Sequence, residues 1–381
     1  MKCKLSDICE YRKGKVNVSN LTLKTYISTE NMLPDKAGVV EANSLPSTAL
    51  VQEYKENDTL VSNIRPYFKK VWQAKHDGGC SNDVLVFQGK ANVDKDFLYY
   101  ILANDDFFAY SMATSKGTKM PRGDKNSIMQ YELQLFDIKI QKRIASILKL
   151  LDKKIELNNA INNNLLQQSL YIFDTLINSA SKDGCIGDYC TLKSGFAFKS
   201  KWWQDSGIPV IKIGSINQDY LNLSNCSHVS EDKISLAKDF IVSGGDLLIA
   251  MTGATIGKFT MVPKMHKTIL VNQRVGKFFL GENPINKIPF IYCTLKQPEI
   301  ISEIINRGQG SAQPNISASD IMSIPCVIPQ TDEINNFNLQ TAPMFELIIN
   351  NQVENLILAK TRDLLLPRLM SGEIDISNIG F

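Results

Sequence analysis

Residues Gly117 to Ile177 of this 381-residue chain realign without a gap on residues Gly310 to Met370, at a constant offset of 193 (310 − 117 = 370 − 177). Nine of the 61 pairs are identical: Gly117/Gly310, Pro121/Pro314, Ile128/Ile321, Met129/Met322, Ile155/Ile348, Asn158/Asn351, Asn162/Asn355, Leu165/Leu358 and Leu176/Leu369. Ordinary composition gives roughly three or four. Five of the nine fall at seam positions of a helical heptad in both copies, so the repeat preserves a packing surface as well as letters. A repeat this long means a duplicated architecture, which presents two similar modules to one partner.

The seam runs Ile144, Leu148, Leu151, Ile155, Asn158, Asn162, Leu165, Ser169, Ile172, Leu176, alternating steps of four and three. Adding the offset gives Phe337, Thr341, Met344, Ile348, Asn351, Asn355, Leu358, Arg362, Leu365, Leu369. Both copies place two asparagines at the same point. A buried Asn costs stability but fixes register when it meets another Asn, so the matched layers suggest two helices packed on each other. Mutual antiparallel packing is expected because a single apolar stripe without a partner would be left in water; the alternative is that each helix packs on its own neighbouring domain. Pro343 stands where the first copy has Leu150, which predicts that the second helix starts or bends there. Pro367 and Gly372 mark its end, near Leu366–Ile374.

Each helix follows a mixed segment of single-domain size, giving the order 1–136 (module), 137–180 (helix), 181–328 (module) and 329–381 (helix). Both modules read as α/β. Strands are expected at Thr59–Ser62 and Asp83–Phe87, and at Val210–Ile213, Asp246–Ala250 and Thr268–Val275. Asp58-Thr-Leu-Val61 aligns with Asp246-Leu-Leu-Ile249 and Lys70 with Lys258, while the loops diverge. A shared frame with private tips is what two scaffolds reading different ligands require.

The loops carry the polar chemistry. In the first module they supply Asn63, Arg65, Tyr67, Lys69 and Lys70, then Lys116, Lys119 and Arg122. The second supplies Lys199, Lys201 and Trp202; Thr252, Thr255 and Lys258; Asn272, Gln273 and Arg274; and Arg307, Gln309, Gln313 and Asn315. Arg and Lys can read guanine, Asn and Gln adenine, while Ser, Thr and backbone amides hold phosphates, so these clusters are candidates for contacting double-stranded DNA. A net charge of only +3 means that any such footprint is local.

Other classes fit poorly. Gly253-Ala-Thr-Ile-Gly257-Lys258-Phe259 is one residue short of a phosphate loop and lacks its Ser or Thr. Asn283-Pro284-Ile285 lacks the second proline and the aromatic of an amino-methyltransferase motif. Eight cysteines without CxxC spacing, beside three histidines, give zinc little to bind and read as reduced structural thiols. No apolar run approaches the ~18 residues of a membrane span, and Met1–Glu10 has no signal-peptide core, so a cytoplasmic protein is expected. The residues describe a reader without its own chemistry.

The order module, helix, module, helix, with Gly245-Asp-Leu-Leu-Ile-Ala-Met-Thr-Gly-Ala-Thr-Ile-Gly-Lys258, Val271-Asn-Gln-Arg-Val-Gly276 and Leu365-Leu-Pro-Arg-Leu-Met-Ser-Gly-Glu-Ile374, resembles the specificity subunit of type I restriction-modification systems. The resemblance covers essentially the whole chain and is strongest in its second half. It implies a non-catalytic subunit in which two target-recognition domains, held apart by an antiparallel coiled coil of two conserved helices, each read half of a bipartite, asymmetric DNA site. It also implies that two methyltransferase subunits using S-adenosylmethionine, and restriction subunits using ATP and Mg²⁺, join the complex. Their contacts are expected on outer helix faces, for example at Lys153, Lys154, Glu346 and Glu354. The competing reading is a stand-alone tandem DNA-binding regulator.

Overall fold

Short apolar runs closed by turn residues form sheets here. A computed structural model describes residues 2–179, 183–217, 220–223, 226–265, 267–309 and 314–376. In the first module, strands Cys9–Tyr11, Val84–Gly89, Thr59–Ser62 and Val71–Gln73 lie side by side in that order, all antiparallel. In the second, Thr191–Ser194, Val275–Phe279, Leu247–Ala250 and Phe259–Met261 repeat the arrangement. Every residue of Thr59–Ser62 and of Leu247–Ala250 is buried, as expected of strands covered on both faces.

The acid before each of these buried strands has a fixed task. Asp58 accepts from the Lys55 N–H and pairs with Arg12, whose Nη2 lies 2.9 Å from its Oδ1. Asp246 accepts from the Ser243 N–H and pairs with Lys277 at 2.9 Å. A buried carboxylate is tolerated only when so partnered.

Each module adds a second sheet joined through one parallel pair. Tyr26–Ile27 runs beside Gly78–Cys80 in the first module, and Ile208–Ile211 beside Leu270–Val271 in the second. Each is also closed by a strand pair from its two ends, Lys2–Lys4 with Glu132–Gln134 and Asp183–Cys185 with Pro325–Val327. The expected strand Thr268–Val275 is really two. Leu270–Val271 belongs to one sheet and Val275–Phe279 to another, and Asn272-Gln273-Arg274 forms the turn between, pinned by Val275 N–H to Asn272 O at 2.9 Å. Apolar, β-branched composition cannot reveal a change of sheet.

The helices span Ile138–Ser179 and Thr331–Ser371. Asp137 caps the first, accepting from the N–H groups of Lys139 and Ile140. The second does not start at Pro343; it begins twelve residues earlier (343 − 331) and runs on through both Pro343 and Pro367. A proline inside a helix frees the carbonyl four residues before it, here that of Leu339, and Leu339 is 78% exposed, so water can satisfy that group. The end at Ser371 follows the expected signal, with Gly372 in the left-handed region at φ 77°.

Along the seam Asn158 donates to Asn355 at 2.9 Å and Asn351 donates to Asn162 at 2.8 Å. Four residues forward on one helix are four back on the other, which is antiparallel pairing. By internal packing the chain forms two compact units, one of residues 1–154 and 358–381, the other of residues 155–357. In the first, Ile144 and Leu148 share a core with Phe97, Phe107, Leu366 and Leu369, and Arg362 pairs with Asp152 at 2.7 Å. In the second, Phe173 and Phe337, 5.8 Å apart, pack with Phe290, Phe345 and Ile348. Burying each such side chain is worth about 1.5–3 kcal/mol relative to exposing it. Each unit thus combines one module with part of both helices.

Candidate nucleic-acid interface

At the loop end of each buried strand three segments converge, with the same backbone bonds in both modules. In the first, Asn63 N–H donates to Asp83 O, Gly123 N–H to Asn63 O and Arg65 N–H to Pro121 O, while Ile64 bridges Arg122. In the second, Met251 N–H donates to Arg274 O, Ile316 N–H to Met251 O and Gly253 N–H to Pro314 O, while Thr252 bridges Asn315. Residues 63–65 therefore match 251–253, Asp83 matches Arg274, and 121–123 match 314–316. The sequence offsets at these three places are 188, 191 and 193, so one alignment could not bring them together.

One matched position is informative about cost. Gly253 adopts φ 70°, which glycine reaches freely, but Arg65 stands at φ 51°, and Lys69, closing the same turn, at φ 50°. Holding a non-glycine residue in the left-handed region costs about 1–2 kcal/mol. Arg65 is exposed, and among the described residues its side chain makes no ion pair that would offset this cost.

The remaining candidates divide by occupation. Lys69 pairs with Asp105 at 2.8 Å. Lys70 donates to the Thr29 carbonyl at 2.6 Å, and burial lowers its pKa. Lys116 pairs with Asp124, whose carboxyl is held far below the usual range by the Lys116 ammonium and by Ser127. Arg307 binds Glu303 at 2.8 Å and fastens the Asp320 carbonyl and Ser323 hydroxyl. Asn272 is buried and receives the Arg274 N–H, and Thr255 donates to the Thr252 carbonyl. Lys199 lies over Trp202, which stacks on Phe196 with 12° between the rings.

Lys119, Lys201, Gln273, Arg274, Gln309 and Asn315 are exposed, as is Tyr67, whereas Lys258 is half-buried. Gln313 lies outside the described residues. In the second module Thr252, Gln273, Arg274 and Asn315 line one cleft of about 710 Å³ with Ser194 and Met251.

Sequence reasoning missed Asp83, which read as the start of a strand. It stands 3.2 Å from the Arg122 guanidinium. Sliding Asp83–Phe87 onto Arg274–Phe278 would have exposed it, since Val84/Val275 and Phe87/Phe278 are identical. Also missed was Lys212, whose ammonium sits 3.7 Å from the centre of the Trp203 ring and whose pKa is lowered by burial.

Of the helix-face positions, Glu346 pairs with Lys264 and Glu354 accepts from Asn158. The exposed large apolar residues of the two helices are others: Ile138, Leu150, Leu157, Tyr171, Leu339, Leu347, Leu356, Ile357 and Leu364. Tyr171 and Leu364 are matched positions of the repeat (364 − 171 = 193), 76% and 61% exposed.

Comparison with known proteins bears on this arrangement. The type I restriction modification DNA specificity domain matches twice, over residues 1–167 and 178–355. The chain is 23% identical to the type I restriction enzyme HindI specificity subunit of Haemophilus influenzae, over 97% of this chain and 100% of that protein. It is 22% identical to the MjaVIII specificity subunit of Methanocaldococcus jannaschii, over 86% and 81%. In fold it is similar to the crystal structure of a type I restriction-modification S subunit from M. genitalium, with a TM-score of 0.57 at 17% identity, covering 99% of this chain and 96% of that one.

Proposed function

Because the chain belongs to the type I restriction-modification DNA specificity family, we propose that it is the sequence-reading subunit of such a complex and that each module reads one half of a bipartite, asymmetric site. The observation that carries this reading is the recurrence of one backbone junction in both modules with different side chains on it. Identical frames with different tips suit two half-sites that differ in sequence.

The chain itself transfers no methyl group. Methylation of an adenine in each half-site belongs to two methyltransferase subunits carrying S-adenosylmethionine, and restriction subunits that use ATP and Mg²⁺ extend the complex. The exposed apolar residues of the helices support that partnership. Tyr171 and Leu364, repeated at one offset, suit two copies of one partner. The complex works on DNA in the cytoplasm; among the described residues no helix is long and apolar enough to cross a membrane.

Methylome sequencing of the host with and without this gene tests the reading. The expected result is loss of one bipartite motif, both halves together. A methylome unchanged by the deletion overturns it and favours a stand-alone regulator.

A further inference from the structure

With the backbone of the two junctions matched, several side chains differ, among them Asp83 against Arg274 and Arg122 against Asn315. Resting on the DNA-reading function above, we propose that these two stations select the base each module demands, with Arg122 reading a guanine in one half-site and Asn315 an adenine in the other.

Both side chains leave an anchored backbone. Arg122 exchanges hydrogen bonds in both directions with Lys116, at 2.9 Å each, and bridges Ile64. Asn315 N–H donates to Gly308 O at 2.9 Å, and Asn315 bridges Thr252. With the main chain already fixed, binding has only the side chain left to order, at about 0.5–1.5 kcal/mol for each one immobilised.

The chemistry at each tip differs accordingly. One terminal nitrogen of Arg122 faces both Asp83 oxygens, at 3.2 and 3.4 Å. Asp83 thereby orients the guanidinium, and among the described residues its other N–H groups have no partner, enough for the O6 and N7 acceptors of guanine. The Asn315 amide offers one acceptor and two donors, the complement of adenine N6 and N7. Asp83 is a positioning residue in this arrangement, and Arg122 and Asn315 touch the bases.

A second observation points to the same place. Among the described residues four buried side-chain oxygen or nitrogen atoms lack a hydrogen-bond partner, and two of them, Asn63 Oδ1 and Thr252 Oγ1, belong to these junctions. Buried polar atoms are rarely left unpaired without a task. Thr252 also lines the cleft beside Asn315.

Selection from a randomised duplex library by the full chain assembled with its methyltransferase subunits tests the proposal. Wild type should yield a two-part motif; if it selects no sequence, the DNA-reading function itself fails. Given a wild-type motif, Arg122→Asn should weaken guanine preference at one position of one half by about tenfold or more and leave the other half untouched. Asn315→Arg should replace adenine by guanine at one position of the opposite half. Asp83→Asn should relax the position that Arg122→Asn alters, and Asp83→Glu should restore it. Should a variant fail to unfold cooperatively like wild type, Arg122→Lys and Asn315→Gln take its place with the same assignment of position to half-site. An unchanged motif, a uniform fall in affinity across all sequences, or changes in both halves from one substitution overturns the proposal.

Discussion

Asp105 receives two ammonium groups, Lys36 at 2.9 Å and Lys69 at 2.8 Å, and so ties two segments of one loop region to a helix start. The same segments are held by Asp35 N–H to Phe68 O and Lys36 N–H to Lys69 O, with Asp35, Lys36, Arg65 and Lys69 all at positive φ. Burial would raise the Asp105 carboxyl, but the two lysines outweigh it and hold it below its ordinary value. A group whose folded pKa is depressed stabilises the fold fully above its unfolded value, about 3.9 for Asp, and stops doing so as pH falls through the folded value. Asp105→Asn should therefore lower the melting temperature at pH 7, modestly because the carboxylate is 57% exposed. The gap between variant and wild type should shrink below about pH 4. A gap of constant size from pH 7 down to pH 3 would mean that the charge of Asp105 contributes nothing.

The helices were legible in sequence because a heptad needs no knowledge of its partner: every seam position from Ile144 to Leu176 and from Phe337 to Leu369 is buried or half-buried. Pro343 was not legible, because the cost of a helical proline depends on whether the carbonyl it frees faces water or a neighbour. Restoring the missing donor makes a clean test. Pro343→Ala should raise the stability by about 1–3 kcal/mol, read from the denaturant midpoint, since Pro343 is exposed and its removal disturbs no core. A lower midpoint would show that the seam depends on a bend at that point. In the modules the buried strands were legible from their apolar runs, but the junctions were not. Three segments with three different offsets meet there, and whether a basic residue is free depends on neighbours far away in sequence. Arg307 and Lys70 looked like Arg65 and Lys119 until Glu303 and the Thr29 carbonyl came into view.

Each long helix belongs in part to both compact units: Ile138–Ser179 passes from one to the other at Lys154/Ile155, and Thr331–Ser371 at Ile357/Leu358. On the proposed function, helix length between the modules is then the natural determinant of the unread spacer in the DNA site. The observed register says how to alter it. Asn158 faces Asn355 and Asn162 faces Asn351, so the heptad opposite Asn158–Asn164 is Ile349–Asn355. Removing both keeps the seam in phase, because seven residues return the same face. A heptad is about 10.5 Å long and a base-pair step about 3.4 Å, so both half-motifs should persist with a spacer shorter by up to about three base pairs, less if the helices lie obliquely to the DNA. This deletion also removes both asparagine pairs and with them a source of register. A companion lacking Leu151–Leu157 and Leu356–Arg362 keeps those pairs and sacrifices the Arg362–Asp152 ion pair instead. If either variant remains folded, assembles with its methyltransferase and still methylates the original spacing, the helices do not set the distance between half-sites.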